Sequence, residues 1–478
     1  MTDPRDRIDT WLGTEVEPLA PPPGTFGRIQ RRARRRKAGR AVMSAAGVVI
    51  VVAAAVAAPK VAGTLLQGSS GPAGPPAAAG PASPSARPQV TGGGNGSLNA
   101  NSGTKVPSPT SSLSAGGSGD AVPANFQPAS VTFIGPHIGA VIGQAGTPGH
   151  CASAYCTSLA GTSDYGTSWY GVSAPLTGPP SGALGVSQIR FLDLRDGWAF
   201  GPQLWVTHDG GAHWTQEQTY GLRVTDLETA GNRAFAVFAT CTGSGPAYAA
   251  SCTSFSLYTS PAGGGQWQPV PGPTANLRAS SGSPASASLI LTGGPGGGAG
   301  YLLSPSGVLL RGPLNGAAWN AVSQSGVCAP GAPGPDGQPT AALLAGDSTR
   351  LVLVCTGTAS TSGDTQKKTV TESTNGGVSW SGGGTAPAAG LAASVSIQGA
   401  LVVLATDAGL YLSGDGGASW QLTQRSPAGA AAGAPGFGYV GMTSPADGVA
   451  LPADPGLHEV FTTTDGGSTW RPHAVSTP

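Results

Sequence analysis

The carboxylates outside any repeated motif are the first residues that could do chemistry. Six of them are candidates for acid and base groups: Asp193, Asp226, Asp347, Asp407, Glu217 and Glu228. Glycoside hydrolysis needs two carboxyl groups flanking the scissile bond. That pairing is spatial, and none of the six has a sequence neighbour that identifies its partner. Glycoside hydrolysis therefore stays open on these residues.

Five scattered arginines could bind an acidic group if the fold brought them into one channel: Arg190, Arg223, Arg278, Arg311 and Arg350. We expect most of them to be solvated loop residues. No Gly-x-Ser-x-Gly elbow, His-Glu-x-x-His or phosphate-binding glycine loop occurs in the chain. His208 and His213 flank one turn motif, and we interpret them as surface residues. We predict no catalytic residue, no cofactor and no metal.

A repeated motif, Ser/Thr-x-Asp-x-Gly-x-x-Trp, indicates the elements that must position these residues; we call it the box. Four copies are intact: Thr162-x-Asp164-x-Gly166-x-x-Trp169, Thr207-x-Asp209-x-Gly211-x-x-Trp214, Ser413-x-Asp415-x-Gly417-x-x-Trp420 and Thr463-x-Asp465-x-Gly467-x-x-Trp470. A fifth has Asn375 for the aspartate, followed by Gly377 and Trp380. Two decayed copies keep Gly264 with Trp267 and Gly316 with Trp319. The tryptophans recur about every 50 residues, a period typical of propellers and solenoids.

The chemistry of the box suits a tight turn. Asp and Ser/Thr side chains can accept hydrogen bonds from nearby backbone N–H groups. Glycine tolerates the positive φ that such turns need. The tryptophan can bury its ring while its N–H finds a carbonyl. We therefore interpret the box aspartates as structural rather than catalytic, and the third and fourth copies have lost the acid altogether.

The copies resemble the Asp-box, or BNR repeat, of sialidase-like β-propellers over roughly residues 126–478. In that family the box is the hairpin turn between the third and fourth strands of a blade. The resemblance implies an all-β, seven-bladed β-propeller. The first blade begins with an inner strand and the last ends with an outer one, so we predict that the ring closes without exchanging a strand.

Function is less defined than fold. A sialidase would need an arginine triad, a tyrosine nucleophile with a glutamate partner, and an aspartic acid. The family's Arg-Ile-Pro motif is absent, and residues 130–149 contain no arginine. The chain is similar to cell-envelope propeller proteins of high-GC Gram-positive bacteria, whose function is generally unassigned. We predict a non-catalytic binding or scaffolding module for a protein or glycan ligand.

Three other functions stay open. The main alternative is a glycoside hydrolase of sialidase-like or xyloglucanase-like type. A chaperone role would follow from similarity to the photosystem assembly factor, which also has seven such blades, but that factor's arginine-rich patch is not evident here. Signalling through residues 1–40 is the third, although this tail has no recognisable domain.

The N-terminal region divides into a basic tail (1–40), an apolar segment (41–58) and a linker (59–125) rich in Gly, Pro, Ala and Ser. The tail contains ten Lys/Arg and five Asp/Glu, and the apolar segment has no charge. Eighteen residues of helix span about 27 Å, close to the thickness of a bilayer core. The positive-inside rule then places the tail in the cytoplasm and residues 126–478 outside. A cleaved signal peptide is an alternative to the anchor, and the arginines could instead bind nucleic acid or acidic lipid.

Charge and cysteine content support an exported domain that does not bind nucleic acid. Residues 126–478 contain eleven basic and seventeen acidic residues, whereas phosphate binding needs a basic surface. All six cysteines lie in this region, which indicates disulfides and an oxidising compartment. By proximity we predict the pairs Cys151–Cys156, Cys241–Cys252 and Cys328–Cys355, among 15 connectivities. Zinc is the rival interpretation, but no Cys-x-x-Cys spacing occurs.

Overall fold

The computed structural model describes Leu113 and residues 120–476, apart from 136, 146–155, 179–184, 242–251, 273–286, 294–297, 305–307, 323–340, 349, 361 and 432–433. The predicted tail and membrane span, and nearly all of the linker, lie outside the described residues. Within those residues, no helix has the length and apolar character needed to cross a membrane.

The described residues form seven four-stranded antiparallel sheets, here called blades. Blades 1 and 2 consist of β1 Gln127–Phe133, β2 Gly139–Ala145, β3 Cys156–Thr162, β4 Tyr170–Val172, β5 Gln188–Phe191, β6 Gly197–Phe200, β7 Leu204–Thr207 and β8 Thr215–Gln216. Blades 3 and 4 consist of β9 Arg223–Ala230, β10 Arg233–Cys241, β11 Cys252–Pro261, β12 Gln268–Pro269, β13 Ser288–Thr292, β14 Ala299–Leu303, β15 Leu309–Pro313 and β16 Asn320–Ala321. Blades 5 to 7 consist of β17 Ala341–Gly346, β18 Leu351–Ala359, β19 Gln366–Ser373, β20 Ser381–Ala386, β21 Ala392–Gln398, β22 Leu401–Thr406, β23 Gly409–Ser413, β24 Gln421–Arg425, β25 Phe437–Met442, β26 Gly448–Pro452, β27 Glu459–Thr463 and β28 Arg471–Ala474.

The sheets form a ring, which confirms the predicted seven-bladed, all-β propeller. Within each blade the strands pair in chain order, and the first strands of successive blades contact one another. No strand is exchanged at the closure between blades 7 and 1. Instead, the Phe126 N–H donates to Ser476 Oγ at 2.9 Å, and His458 Nδ1 donates to the Phe126 carbonyl at 2.9 Å.

The core consists of seven apolar clusters, each between two neighbouring blades. Between blades 3 and 4, for example, Phe235, Leu289 and Trp319 are buried together. Inner-strand side chains point alternately toward the two neighbouring blades. Ile189 and Leu227 pack toward the preceding blade, so the residues beside them point the other way.

The box is the turn between the third and fourth strands of each blade, and its hydrogen bonds are those its residue types suggest. In blade 6, Gly417 N–H donates to Ser413 Oγ at 2.7 Å and Ser419 N–H donates to Asp415 Oδ1 at 2.8 Å. Gly417 has φ +101, and an added Cβ there would lie 2.9 Å from Val370 of blade 5. Close contact with the preceding blade therefore favours glycine at this position.

Tyr165, the residue before the conserved glycine of the first box, contacts blade 7 at the ring closure. Five other boxes have glycine just before the conserved box glycine, but here tyrosine adopts φ +64 and buries its ring against blade 7. Its hydroxyl lies 2.9 Å from the carbonyl oxygens of both Gly448 and Thr463. A side chain from the first box thus joins the first and last blades.

Two further features concern the predicted boundaries and cysteines. Leu113 is buried against blades 1 and 2, and the Gly171 N–H donates to the Asp120 carbonyl at 2.7 Å, so contact with the propeller begins before residue 126. Cys241 and Cys252 form a disulfide between β10 and β11. Cys156 and Cys355 are also disulfide-bonded, whereas Cys151 and Cys328 lie outside the described residues.

Candidate functional site

Three of the residues proposed for chemistry meet at the centre of the ring. Arg190 Nε and Nη2 donate to the two Glu228 carboxylate oxygens at 3.0 and 2.8 Å. Asp226 lies two residues before Glu228 on β9, so both carboxylates are on the same side of the strand. Tyr439 of blade 7 lies within electrostatic range of Arg190, as do both carboxylates. We call Arg190, Asp226, Glu228 and Tyr439 the central cluster.

The central cluster is buried and largely paired. Asp226 and Tyr439 are 0% exposed, and Arg190 and Glu228 are 2% and 7% exposed. The Arg190 Nη1 donates to the Ile189 carbonyl at 2.8 Å, and the Leu289 N–H donates to Asp226 Oδ2 at 2.6 Å. Burial disfavours the charged guanidinium, but the Glu228 carboxylate outweighs it, so the pKa of Arg190 is raised. The arrangement joins blades 2, 3 and 4 through charged side chains.

Alignment of the blades could have found this cluster. Gln188-Ile189-Arg190 and Asp226-Leu227-Glu228 occupy equivalent inner-strand positions, with the apolar residue pointing toward the preceding blade. Their polar residues must therefore point the other way, toward the following blade. In the single sequence Arg190 looks like one of five scattered arginines, because the alternation is visible only when the blades are aligned. Tyr439 had no comparable signal, because pairing between blades 2 and 7 is purely spatial.

The other candidate residues lie apart from the centre. Asp193 Oδ1 accepts the N–H groups of Arg195 and Asp196 in an exposed turn. Asp407 is in the turn between β22 and β23, and Glu217 accepts the Trp267 indole N–H. Burial raises the pKa of Glu217, and the bond from Trp267 partly offsets the rise. Arg223 begins β9, and Arg278 is outside the described residues.

The two histidines pair with different carboxylates. His208 Nδ1 lies 2.6 Å from Asp196 Oδ1, and His213 Nδ1 lies 2.7 Å from Asp209 Oδ2. Among the residues that the structure describes, no group of three or more His, Cys, Asp or Glu side chains could hold a metal.

Arg311 and Arg350 line an open pocket of about 290 Å³ between blades 4 and 5. Tyr301 and Asp347 also contribute to its walls, as does the box turn of blade 5 through Asn375 and Gly376. Arg311 is exposed, and its guanidinium carbon lies 5.9 Å from the centre of the Tyr301 ring. We call this the blade 4–5 pocket. Its walls include two arginines and part of the blade 5 box, which has Asn375 in place of the usual aspartate.

Arg350 is mostly buried, contrary to the expected solvated loop position. Its Nη1 donates to Glu372 Oε2 at 2.7 Å, and its side chain is 11% exposed. Its Nε and Nη2 are buried and have no hydrogen-bond partner within the described part of the chain. These two nitrogens form the edge that binds a carboxylate or sulfate through two parallel hydrogen bonds.

The chain has structural neighbours among solved proteins. No protein-family model matches the chain, and no curated protein matches it. Among solved structures, it is similar to YCF48 bound to a D1 peptide, with 18% identity, a TM-score of 0.44, and 72% of this chain and 94% of that one covered. An ancestral GH74 enzyme has 13% identity and a TM-score of 0.45, covering 74% and 46%. An ulvan lyase of polysaccharide lyase family PL25, bound to an acidic sulfated sugar, has 11% identity and a TM-score of 0.41, covering 74% and 97%.

The class that fold and site define is a seven-bladed β-propeller with a buried charged centre and an open pocket between two blades.

Proposed function

We propose that this chain is a membrane-anchored, extracytoplasmic binding or scaffolding module for a protein or glycan ligand. The observation that supports it most is the contrast between the two clusters of charge. The central cluster is buried, and Arg190 and Glu228 form an ion pair, whereas the blade 4–5 pocket is open and lined by two arginines. Ligand sites combine a concave surface with a few placed polar groups, which fits the pocket.

The disulfides support an extracytoplasmic location. The Cys241–Cys252 bond, with bonded Cys156 and Cys355, suits an oxidising compartment. The anchor at 41–58 and the cytoplasmic tail remain part of the proposal. Protease treatment of intact and permeabilised cells tests the orientation: the propeller should be accessible in intact cells and the tail only after permeabilisation. A tail that is accessible in intact cells, with a propeller accessible only after permeabilisation, would exclude this orientation.

The binding function is tested by applying neutral oligosaccharides, acidic oligosaccharides and short peptides to the immobilised full chain. We expect saturable binding to one class of ligand. The control is chain unfolded by heat and reduction, which should bind none of them. Failure of the folded chain to bind any member of the three classes saturably would argue against the proposal.

A glycoside hydrolase is the second candidate, and one observation favours it. Asp226 and Glu228 form a carboxylate pair beside an arginine, with Tyr439 on another blade. Paired carboxylates are what glycosidases use. For catalysis this centre would have to open to substrate and Glu228 would have to leave Arg190. Hydrolysis of an oligosaccharide that disappears in Asp226→Asn would establish the alternative.

A further inference from the structure

We propose that the blade 4–5 pocket binds an oxyanion of the ligand, a carboxylate, sulfate or phosphate group, through Arg311 and Arg350. The inference deepens the proposed binding function and rests on it. It concerns the chemical class that the pocket selects, and it stands on three separate observations about these residues.

The first observation is the unfilled edge of Arg350. Its Nη1 is held by Glu372, while Nε and Nη2 are buried without a hydrogen-bond partner among the described residues. The same chain shows how such an edge is filled, because Arg190 uses Nε and Nη2 to hold both oxygens of Glu228. Unpaired buried donors are costly, and an oxyanion supplies two acceptors in the matching geometry. Both nitrogens are covered in the free chain, so we expect the guanidinium to turn as the anion enters.

The second observation is a second guanidinium in the same pocket. Arg311 is exposed, and a Cβ at Gly376 would lie 2.8 Å from its Cζ, so its guanidinium lies directly against the blade 5 box turn. Gly376 has φ +72, and both conformation and space therefore favour glycine there. Arg311 and Arg350 approach the pocket from blade 4 and blade 5 respectively. Two cations that line one pocket both attract an anion that enters it.

The third observation is the missing acid. Asn375 preserves the turn: its Oδ1 accepts Ser373 Oγ–H and Ser379 N–H, both at 2.9 Å. In blade 6 the equivalent bonds are made by Asp415, an ionised carboxylate. The amide thus keeps the hydrogen bonds and removes a negative charge from the pocket wall. The remaining acid in the wall, Asp347, accepts the N–H groups of Arg350 and Gly399 on its two oxygens.

The site has room for one charged group and a few attached atoms. Its volume of about 290 Å³ is at the small end for ligand pockets, which suits an end group or side branch of a larger ligand. Arginine forks match planar or tetrahedral oxyanions. A free inorganic anion and an acidic sugar would present the same chemistry, and the experiment separates these sources.

In the test, the full chain is titrated with sodium sulfate, inorganic phosphate, glucuronate and glucose at constant ionic strength. Isothermal titration calorimetry measures the affinity for each compound. We expect saturable binding of at least one oxyanion and none of glucose. Glucuronate binding stronger than inorganic anions would indicate an acidic sugar, and the reverse would indicate a free anion; both agree with the proposal. Wild type that binds none of the three oxyanions, or binds glucose as well as glucuronate, overturns it.

The decisive variant is Asn375→Asp, which restores the charge in a turn that four other boxes build with aspartate. It should weaken oxyanion binding by about tenfold, the order expected for one added charge in a partly screened pocket. Asp465→Asn, the reciprocal change in the blade 7 box, which does not line the pocket, should leave affinity within about twofold of wild type. Arg311→Gln should also weaken binding, and it checks the pocket without touching the box. Unchanged affinity in both Asn375→Asp and Arg311→Gln overturns the proposal, even if the chain still binds oligosaccharides or peptides elsewhere.

Discussion

At the scale of single residues, the box aspartates act on their own turns. Asp415 accepts hydrogen bonds from Ser419 and Ser413, which lowers its pKa to about 2. The side-chain bond to Ser419 is the largest cause. The sequence alone predicted this role, because Asp and Ser/Thr side chains at these spacings can accept hydrogen bonds from the backbone N–H groups of the same turn.

The lowered pKa gives a prediction about acid. A carboxylate whose folded pKa lies below its unfolded value contributes stability above about pH 4, and loses it as pH falls toward 2. The apparent midpoint of thermal unfolding should therefore drop in this window. Asp415→Asn keeps an acceptor, as Asn375 does, and its acid-induced drop should be smaller than that of wild type. Melts followed by circular dichroism at pH 2–5 measure the difference, and identical curves would contradict the assignment.

Tyr165 shows a residue role that the motif did not predict. Burial, assisted by Asp447, raises the pKa of its hydroxyl, so it stays a donor to the carbonyls of blade 7. The box pattern leaves this position unspecified, and the contact is almost 300 residues away in sequence, at Gly448 and Thr463. Local chemistry cannot identify such a partner.

Tyr165→Phe should lower the stability of the ring closure by about 1–2 kcal/mol, since a buried hydrogen bond is lost while the ring stays in place. Thermal unfolding of the full chain would show a lower midpoint. Tyr220, which is 86% exposed, supplies the control: Tyr220→Phe should melt as wild type does. Equal midpoints for the two variants would show that the hydroxyl does not hold the closure.

At the scale of elements, side chains of one inner strand bond the backbone of the next. Ser130 accepts the Ile189 N–H, Asp226 accepts the Leu289 N–H and Ser394 accepts the Val440 N–H. Inner strands have an edge without a neighbour in their own sheet, so these bonds satisfy backbone groups there. The central cluster extends the pattern with an ion pair between β5 and β9.

The ion pair predicts an asymmetric response to mutation. Arg190→Met leaves Glu228 buried without its partner and should cost about 3–5 kcal/mol in the free energy of unfolding. Replacing both residues, as Arg190→Met with Glu228→Leu, should cost less than Arg190→Met alone, because no uncompensated charge remains. Denaturant unfolding of wild type and the two variants measures this. If Arg190→Met alone were as stable as wild type, the ion pair would not be structurally important.

At the scale of the whole molecule, the sequence predicted the propeller, the number of blades and the closure without strand exchange. These follow from short-range patterns: turn residues, apolar runs and a period of about 50 residues. It did not predict which charged residues meet. Arg190 and Glu228 are 38 residues apart, and Arg311 and Asn375 come from different blades, so only the ring geometry brings them together.

The central claim is that this propeller binds its ligand without converting it, and product analysis tests the claim most directly. The full chain would be incubated with neutral and acidic oligosaccharides, and the masses of the recovered sugars determined. We predict that every mass is unchanged in the presence of wild type. A new product formed by wild type and lost in Glu228→Gln, with folding verified by circular dichroism, would contradict the account.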